Sequence, residues 1–434
     1  MTINLFQRGA GPGDQPACAL RHDTAVSRVL ILLPTATYKA PDFLAAAQAL
    51  GIEVVVGSEQ AQTLATAMGD RALTLDLEDP EAAAGAVVEA ARRRPFDAVV
   101  AVDDQGVLVA ALAASRLGLP SNPPEAVART RDKAAMRAAL ASARPALRQP
   151  EHRVVGPGDD VAALAADIGF PVVVKPVSLA ASRGVIRADD PEGARSAAER
   201  IRVILKEAGQ PPDEPMLVEA YVPGEEVAVE ALVRGGVLDV LAVFDKPDPL
   251  VGPYFEETIY VTPSRLPGEV QARVSEAVTG AAAALGLREG PVHAELRIDP
   301  AGQPWVLELA ARTIGGLCSR TLRFGTGVSL EELILRHALA LPLDPVREQM
   351  ATGVMMLPIP TAGVLREVTG QDEARAVPGI TGLELSIRPG RPVRPLPEGD
   401  RYLGFLFARA ERPEDVELAL RTAHAHLGLV IDPS

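Results

Sequence analysis

The first quarter of the chain alternates short apolar runs with helix-like stretches. The apolar runs are RVLILLP, EVVVG and FDAVVAVDD, and the stretches between them include FLAAAQAL and EAAAGAVVEAARRR. Strands that alternate with helices pair in parallel, because a helix crosses over between consecutive strands. We therefore predict an N-terminal parallel βαβ domain of about 120 residues, with helices covering both faces of the sheet.

The rest of the chain requires further packed units, because 434 residues exceed what one hydrophobic core supports. After a charged helix, PEAVARTRDKAAMRAALA, strands and helices follow in a mixed order without an internal repeat. We predict an α/β protein divided into an N-terminal α/β domain (1–124), a linker helix (125–149), a smaller subdomain (150–218), a central subdomain with an antiparallel sheet (219–345) and a small C-terminal α+β subdomain (346–434).

Composition argues against several classes of partner. The net charge of −14 repels phosphate backbones, and 3% aromatic residues leave little for base stacking, so we expect no nucleic acid. No segment reaches the ~18 uninterrupted apolar residues of a membrane span, and the N-terminus lacks a signal-peptide core. Cys18 and Cys318 supply neither a disulfide framework nor a zinc set. We expect a cytoplasmic protein with no membrane partner.

The run VVVKP places Lys175 at the end of a buried strand. A lysine there is costly unless it reaches solvent or meets an anion. The following SLAASRG segment, with Ser178, Ser182 and Gly184, can direct hydroxyls and backbone N–H groups toward phosphate oxygens, although it matches no standard phosphate loop. The alternative is an edge-strand lysine that simply reaches solvent.

The segment LVEAYVPGEE puts Glu219 at a strand end, before a Pro-Gly turn. The backbone around Ala220 and Val222 can present N–H and C=O groups to a purine edge, and Glu226 can accept from ribose hydroxyls. The alternative is a β-turn with solvated acids.

The segments PVHAELRID and WVLELAARTIGGL read as antiparallel strands joined by the turn DPAGQ. Glu295 and Glu308 lie within these apolar strands, and two such acids repel each other unless a cation lies between them. Oxygen ligands suit Mg²⁺, and Arg312 can then hold a phosphate that the metal also touches. The alternative is two half-exposed acids with an arginine salt bridge.

Taken in order, RDKAAMR, VVVKPVSLAASRGV, LVEAYVPGEEV and HAELRIDPAGQPWVLELAAR resemble the ATP-grasp superfamily, and within it the carboxylate–amine ligases of the L-amino acid ligase type. The resemblance covers most of the chain. It implies an ATP-grasp architecture, with a mobile lid at 150–218 and a central catalytic subdomain at 219–345. It further implies ATP and Mg²⁺, or Mn²⁺ in its place, as cofactors.

The resemblance also implies an activity. Such a ligase activates a carboxylate as an acyl phosphate and joins it to an amine, releasing ADP and phosphate; here both substrates would be small molecules, in each case an amino acid. Enzymes of this kind often form two-fold dimers, so the resemblance is compatible with a homodimer.

Roles for individual residues follow from the same resemblance. Glu295 and Glu308 would bind Mg²⁺, and Arg312 would steady the acyl phosphate and the transferring phosphoryl group. The residues implied to bind ATP are Lys133, Lys175, Ser178, Ser182, Gly184, Glu219, Ala220, Val222 and Glu226.

The substrate site would include the segment PYFEETIYVTPS. There Glu257 would hold an amino group, and Tyr260 stands where relatives often carry histidine. Gly315 and Gly316 would lie beside the acyl phosphate. Because some dipeptide-forming relatives place a bulky aromatic residue at Gly316, the glycine predicts room for a larger first substrate.

His293 is a candidate base for the incoming amine, and its alternative role is that of a hydrogen-bonding core residue. Ala310 stands where many ATP-grasp enzymes carry an asparagine, as is common in the amino acid ligases, which leaves one fewer metal ligand.

Three alternatives stay open. Another ATP-grasp reaction, such as biotin carboxylation, would use the same nucleotide residues. A non-catalytic nucleotide-binding module would be expected to have lost its metal ligands. A Rossmann-type oxidoreductase would need a glycine fingerprint after the first strand, and LILLPTATYKA has none.

Overall fold

The computed structural model describes residues 26–62, 65–211 and 213–433, so Cys18 and the Gly/Pro-rich leader lie outside the described residues. The N-terminal unit contains a parallel sheet in the order β3-β2-β1-β4, and the predicted parallel topology is confirmed. All of β1 is buried, as expected for a sheet covered on both faces. Its elements are β1 (Arg28–Leu32), α1 (Ala40–Ala49), β2 (Glu53–Ser58), α2 (Ala65–Met68), β3 (Ala72–Thr74), α3 (Pro80–Arg93), β4 (Ala98–Ala101) and α4 (Asp104–Leu117).

The expected single linker helix is wrong, because the chain forms two helices, α5 (Pro124–Arg131) and α6 (Lys133–Ala141). Asp132 separates them with an extended backbone, and its side chain accepts hydrogen bonds from the first N–H groups of α6. An aspartate at this position caps a new helix more favourably than it continues an old one. The break places Lys133 at the first residue of α6.

The next unit is a four-stranded antiparallel sheet in the order β5-β8-β6-β7, covered by two helices. The longer helix, α8, begins where Asp190 caps it and buries an alanine- and isoleucine-rich face. We call this unit the lid sheet. The expected boundary at 218/219 lies inside β8. Its elements are β5 (His152–Val155), α7 (Val161–Ile168), β6 (Val172–Pro176), β7 (Ile186–Ala188), α8 (Pro191–Glu207) and β8 (Met216–Ala220).

The largest sheet has eight strands in the order β13-β12-β9-β10-β11-β16-β20-β18. The predicted hairpin is confirmed, because β12 and β13 are antiparallel neighbours. The elements up to β16 are β9 (Glu225–Arg234), β10 (Val237–Lys246), β11 (Ile259–Thr262), α9 (Gly268–Leu285), β12 (Gly290–Ile298), β13 (Pro304–Ala310), β14 (Arg323–Phe324), β15 (Val328–Ser329), α10 (Leu330–Ala338) and β16 (Ala351–Met356).

The C-terminal segment is divided between two sheets. Strands β16, β20 and β18 extend the large sheet, while β19, β17 and β21 form a small one. Part of the segment expected to be a separate unit therefore continues the central sheet. The remaining elements are β17 (Gly363–Thr369), α11 (Gln371–Ala376), β18 (Ile380–Leu385), β19 (Pro392–Val393), β20 (Gly404–Ala410), α12 (Pro413–His426) and β21 (Gly428–Asp432).

One hydrophobic cluster joins the N-terminal sheet to the large sheet. It includes Phe43 on α1, Phe244 on β10, Leu333 on α10 and Phe405 on β20, each at most 1% exposed. This shared core fixes the end of β4 and the start of α4 against the chain that follows β13. No helix among the described residues is both long and apolar enough to cross a membrane.

Candidate active site

A cleft lies between the lid sheet and the eight-stranded sheet, and most of the predicted site residues line it. It encloses about 920 Å³ of space, with solvent at its mouth included. Its walls come from α6, β6, the loop after β6 and β8 on one side, and from β9, β12 and β13 on the other. The predicted residues that line it are Lys133, Lys175, Ser182, Glu219, Ala220, Val222, Glu226, Glu257, His293, Glu295, Glu308 and Arg312.

A second lobe continues from this cleft toward the N-terminal sheet. The two share six residues, Ala180, Ala181, Glu257, His293, Glu295 and Arg312. The other residues of the second lobe are Tyr38, Asp103, Asp104, Tyr260, Ile314, Gly315, Gly316, Cys318, Met356, Asp400 and Tyr402.

The two predicted metal ligands face the cleft from adjacent strands. Glu295 on β12 and Glu308 on β13 are register partners, and the ladder shifts directly after Glu295. Asp299 orders the turn between the strands by accepting from the Trp305 indole at 3.0 Å. Two carboxylates held opposite each other on one hairpin give the oxygen-only ligand set that Mg²⁺ prefers, so these residues fit such an ion.

Lys133 connects the hairpin to the loop after β6. Its Nζ donates to the Leu179 carbonyl at 2.7 Å and lies 3.4 Å from Glu308 Oε1. The side chain is buried, so its charge faces the cleft rather than bulk water. An ammonium group in this position can attract an anion that lies between the loop and the hairpin.

Lys175 and Glu219 form a buried ion pair with an arginine that sequence analysis did not select. Lys175 Nζ lies 2.7 Å from Glu219, and Arg137 Nε donates to the same carboxylate at 2.7 Å. Burial alone would raise the pKa of Glu219, but Arg137 and Lys175 together lower it to about 2. Burial also lowers the pKa of Lys175. Arg137 lies four residues after Lys133 in RDKAAMR, a spacing that places both on one face of α6 and could have identified it.

Lys246 is the second important residue that sequence analysis missed. Its Nζ lies 2.8 Å from Glu226, 3.6 Å from Glu295 and in contact with Glu257. Burial opposes its charge, but the three carboxylates raise its pKa well above the usual range. Oxygens of the three carboxylates lie within 4.8 Å of one another, a separation at which they could share a metal ion. The sequence contained a signal for Lys246, because this lysine follows an apolar run and directly precedes a proline, as Lys175 does.

Glu226, predicted to contact ribose, is already engaged on both oxygens. Oε1 accepts from Lys246, and Oε2 accepts from Arg297 Nε at 3.0 Å. Arg297 also donates to the Val222 carbonyl at 2.9 Å and so ties the turn after β8 to β12. A ribose hydroxyl would have to share this carboxylate with the two cations.

His293 is held between two carboxylates. Its Nδ1 lies 2.6 Å from Glu230 Oε1, and its Nε2 lies 3.4 Å from Glu295 Oε1. Burial would lower the pKa of His293, but these two neighbours raise it to about 9. Two carboxylate partners are what the alternative role, a hydrogen-bonding core histidine, would give His293. The role of base for the incoming amine stays a prediction.

Arg312 lies where the two lobes meet. Its Nε donates to Asp104 Oδ2 at 2.9 Å, and its Nη1 donates to the Thr313 carbonyl at 2.9 Å. Burial would lower the pKa of Arg312, but Asp104 raises it, so the guanidinium stays charged. Asp104 is the first residue of α4, so the N-terminal domain positions this arginine.

Of the three residues predicted to bind ATP in the loop after β6, only one lines the cleft. Ser178 and Gly184 do not line the cleft in this structure, so their contact with ATP stays a prediction. The Ser178 hydroxyl donates to Glu214 at 2.7 Å, and the Gly184 N–H donates to the Pro397 carbonyl at 3.0 Å. Ser182 does line the cleft and has a φ of +54°, a left-handed conformation that costs a non-glycine residue about 1–3 kcal/mol.

The expected effect of Gly316 on substrate size stays a prediction, but the structure shows what occupies the space beside this residue. This glycine has a φ of +58°, and a Cβ added to it would lie 2.7 Å from the Phe405 ring. Phe405 therefore fills the space that a side chain at Gly316 would take. Gly315 differs, because a Cβ there would meet no atom within 4 Å. Tyr260 lies in the same lobe, with only 2% of its surface exposed.

Three family models match the chain. A model of an ATP-grasp N-terminal domain matches residues 44–121, an ATP-grasp domain model matches residues 168–321, and a model of the L-amino acid ligase C-terminal domain 2 matches residues 355–432. The middle match spans β6, the loop after it, β8 and the hairpin, which together supply most of the cleft.

Curated relatives match over part of their length. The alanine–anticapsin ligase of Bacillus subtilis (strain 168) is 28% identical over 193 residues, which is 41% of this chain and 40% of that protein. The D-alanine–D-alanine ligase of Gloeobacter violaceus is 32% identical over 182 residues, 39% of this chain and 55% of that protein. The chain thus spans about half the length of such relatives or less.

A solved structure matches over nearly the full chain. It is an L-amino acid ligase from Bacillus licheniformis, which is 26% identical and superposes with a TM-score of 0.76 over 94% of this chain and 99% of that one. A phosphoribosylglycinamide synthetase from Anaerococcus prevotii has the same fold at 16% identity, with a TM-score of 0.66.

Proposed function

Because the chain belongs to the ATP-grasp superfamily and is of the L-amino acid ligase type, we propose that it is an ADP-forming ligase that joins two amino acids through an amide bond. A carboxylate oxygen of the first substrate attacks the γ-phosphorus of ATP, which yields an acyl phosphate and ADP. The amine of the second substrate then attacks the acyl carbon, and phosphate leaves.

The nucleotide occupies the cleft between the lid sheet and the large sheet. Lys133 and Lys175 attract the phosphates, and the loop around Ser182 covers them. Glu219 and the backbone near Ala220 hold the adenine. Support for this assignment comes from the burial of both lysines, since a buried ammonium with space beside it favours an anionic ligand.

Magnesium, when bound by Glu295 and Glu308, supplies positive charge that offsets the charge of the triphosphate. Around these ligands the chain already balances charge with Lys133 beside Glu308 and Lys246 beside Glu295. Burial would raise the pKa of Glu295, but Lys246 and His293 lower it, so this carboxylate is in the ionised form that binds a metal.

Arg312 stabilises the phosphoryl group as it passes to the carboxylate. Its guanidinium is held by Asp104, so it needs little reorganisation when charge develops. The acyl phosphate must also be kept from water, which is the task of the lid at about residues 150–220. Contacts of the lid with residues 394–398 are consistent with a closed arrangement.

The observation that carries the proposal is the meeting of the two lobes at Arg312. A nucleotide in the cleft and a carboxylate in the second lobe would approach each other beside this one guanidinium, Glu257 and Glu295. Positioning of two reactants is the main contribution an enzyme makes to phosphoryl transfer.

The test is an ADP-release screen with MgATP and all pairs of the twenty amino acids, followed by mass detection of the amide. We expect release with a subset of pairs, and a loss of at least 100-fold in Arg312→Gln, a magnitude typical of removing one stabilising donor. The matched control is Arg92→Gln on the exposed face of α3, which should retain activity. Absence of release with every pair, in protein that binds MgATP, would contradict the proposal.

A further inference from the structure

A second pocket, rich in arginine, lies on the large sheet away from the active site. Four arginines and one acid line it: Arg320, Arg323, Arg347, Arg409 and Glu348. We call it the arginine pocket; it encloses about 600 Å³ of space, with solvent at its mouth included. Its lining residues all differ from those that line the cleft and the second lobe. In a chain with a net charge of −14, so local an excess of positive charge requires an explanation.

Three adjacent strands of the large sheet carry part of the lining. Thr352 on β16 and Arg409 on β20 are register partners, so their side chains emerge on the same face of the sheet. On β18 the register shifts between Ile380 and Gly382, which leaves Thr381 as an extra residue opposite β20. Such bulges redirect a side chain and are frequent beside functional sites. Thr381 is exposed and contributes its hydroxyl to the pocket.

Two short segments beside these strands carry the other three arginines. Arg320 lies in the turn before β14, and Arg323 is the first residue of that strand. Arg347 forms an antiparallel bridge with Phe324, and the Glu348 N–H donates to the Arg323 carbonyl at 2.9 Å. Backbone hydrogen bonds therefore hold Arg323 and Arg347 on adjoining segments of the chain.

Two of the four arginines have carboxylate partners. Arg320 Nε donates to Asp42 Oδ2 at 2.8 Å, and its Nη1 donates to Glu384. Burial would lower the pKa of Arg320, but these two acids raise it. Arg409 Nη2 donates to Glu348 Oε2 at 2.9 Å. The protein itself thus balances the charges of Arg320 and Arg409.

Arg323 and Arg347 differ, because neither pairs with a carboxylate among the residues that the structure describes. Nη1 of Arg323 donates to two backbone carbonyls, at 3.2 and 2.7 Å, and Nη1 of Arg347 donates to the Met350 carbonyl at 3.0 Å. Burial lowers the pKa of Arg347, and Glu348 offsets this only in part. Two partly buried cations that repel each other therefore line the same space.

The charge and shape of the arginine pocket suit a phosphate ester. A phosphate monoester carries about two negative charges, which matches two unpaired guanidiniums, whereas a carboxylate carries one. The planar guanidinium also donates two parallel hydrogen bonds to phosphate oxygens. Met350, Phe407 and Ala408 add apolar surface to the lining, against which an organic group can pack.

We propose that the arginine pocket is a second ligand site, which binds a small organic phosphate through Arg323 and Arg347. The phosphate lies between the two guanidiniums, and the organic group contacts the apolar part of the lining. This inference does not depend on the proposed ligase function, because the pocket shares no lining residue with the cleft or the second lobe. A ligand in it does not compete with ATP.

The test measures the binding of phenyl phosphate by isothermal titration calorimetry, with the cleft saturated by Mg²⁺ and the β,γ-imido analogue of ATP. Saturation keeps the probe away from Lys133 and Lys175. Wild type should bind the probe at one site per chain, and Kd should rise with salt concentration. Inorganic phosphate lacks the ring, and benzoate lacks the phosphate, so each should bind weaker by about fivefold or more.

Variants of the two unpaired arginines locate the site. Arg323→Gln and Arg347→Gln should each raise the Kd for phenyl phosphate about tenfold or more, the factor for losing a hydrogen bond to a charged group. Arg347→Lys retains the charge without the planar fork and should fall between wild type and Arg347→Gln. The matched control is Arg391→Gln, an exposed arginine of a different arginine-rich surface, which should change Kd by about twofold or less.

Binding of the ATP analogue checks that the variants fold. Its Kd should be unchanged in all four, because none of the altered residues lines the cleft. No saturable binding of phenyl phosphate to wild type, equal Kd values in wild type and both glutamine variants at 323 and 347, or an equal rise in Arg391→Gln would overturn the inference. Benzoate binding as tightly as phenyl phosphate would overturn the assignment of phosphate. Failure to ligate any pair of amino acids would refute the proposed function and leave this inference standing.

Discussion

Arg137 ties three elements of the fold together, although it does not line the cleft. It is fully buried on α6 and donates to Glu219 on β8 at 2.7 and 3.2 Å. It also donates to the carbonyls of Val306 and Leu307 on β13, at 2.9 and 2.7 Å. We predict that Arg137→Met, which retains the length of the side chain but removes every donor, strongly destabilises the protein.

The magnitude follows from the groups left behind. Removing one partner of a buried ion pair costs about 3–5 kcal/mol, and the lower end applies because Lys175 still contacts Glu219. The two carbonyls that lose a donor add about 1 kcal/mol each. The free energy of unfolding should therefore fall by about 5 kcal/mol.

The change in the free energy of unfolding can be measured by urea unfolding followed by tryptophan fluorescence, with a reporter next to the Arg137 network. Trp305 is the single tryptophan of the chain and directly precedes Val306 on β13. With a slope of about 3 kcal/mol per molar urea, the midpoint should fall by about 1.7 M. The control Arg92→Met removes an exposed arginine and should change the free energy of unfolding by about 0.5 kcal/mol or less. If Arg137→Met stays within 1 kcal/mol of wild type, the network does not stabilise the fold as argued.

Three more predictions follow from the same geometry. Arg200 on α8 of the lid sheet donates to Glu398 at 2.5 and 2.9 Å, and both side chains are partly exposed. Glu398→Gln should therefore weaken closure of the lid by about 0.5–1 kcal/mol and raise KM for ATP about two- to fivefold. The effect should be smaller at about 1 M salt, which screens the ion pair. The ion pairs of Glu219 lower its pKa from 4.5 to about 2, so they contribute their full stability above pH 4.5. As pH falls toward 2, the free energy of unfolding should decrease by about 3 kcal/mol through this group. Acid-unfolding curves of Glu219→Gln should lack this decrease. Lys246→Met leaves Glu226, Glu257 and Glu295 together without a cation between them. Mg²⁺ should therefore raise the melting temperature of this variant more than that of wild type. Equal rises in the two proteins would contradict this account.

Those features of the site that depend on local sequence were predictable. Glu295 and Glu308 stand out as acids within apolar strands, and the turn between them is rich in Asp, Pro and Gly. The pattern thus determines both the hairpin and the opposition of the two acids. The alternation of strands and helices likewise determines the parallel N-terminal sheet.

Those features that depend on distant partners were not predictable. The hydroxyl of Ser178 turns to Glu214, and Phe405 fills the space at Gly316, although it lies 89 residues further along the chain. Lys246 meets acids from three separate segments, so no local window reveals its environment. The joining of β16, β18 and β20 to the central sheet depends on strand pairing, which one sequence pattern leaves undetermined.

The most direct test of the central claim follows oxygen atoms. Wild-type protein is supplied with MgATP, an amine and the preferred amino acid labelled with ¹⁸O in both carboxylate oxygens. If the carboxylate attacks the γ-phosphorus, the released phosphate carries one ¹⁸O and the amide retains the other, with ADP as the second product. Phosphate without the label, or formation of AMP in place of ADP, would contradict an acyl phosphate and with it the proposed function.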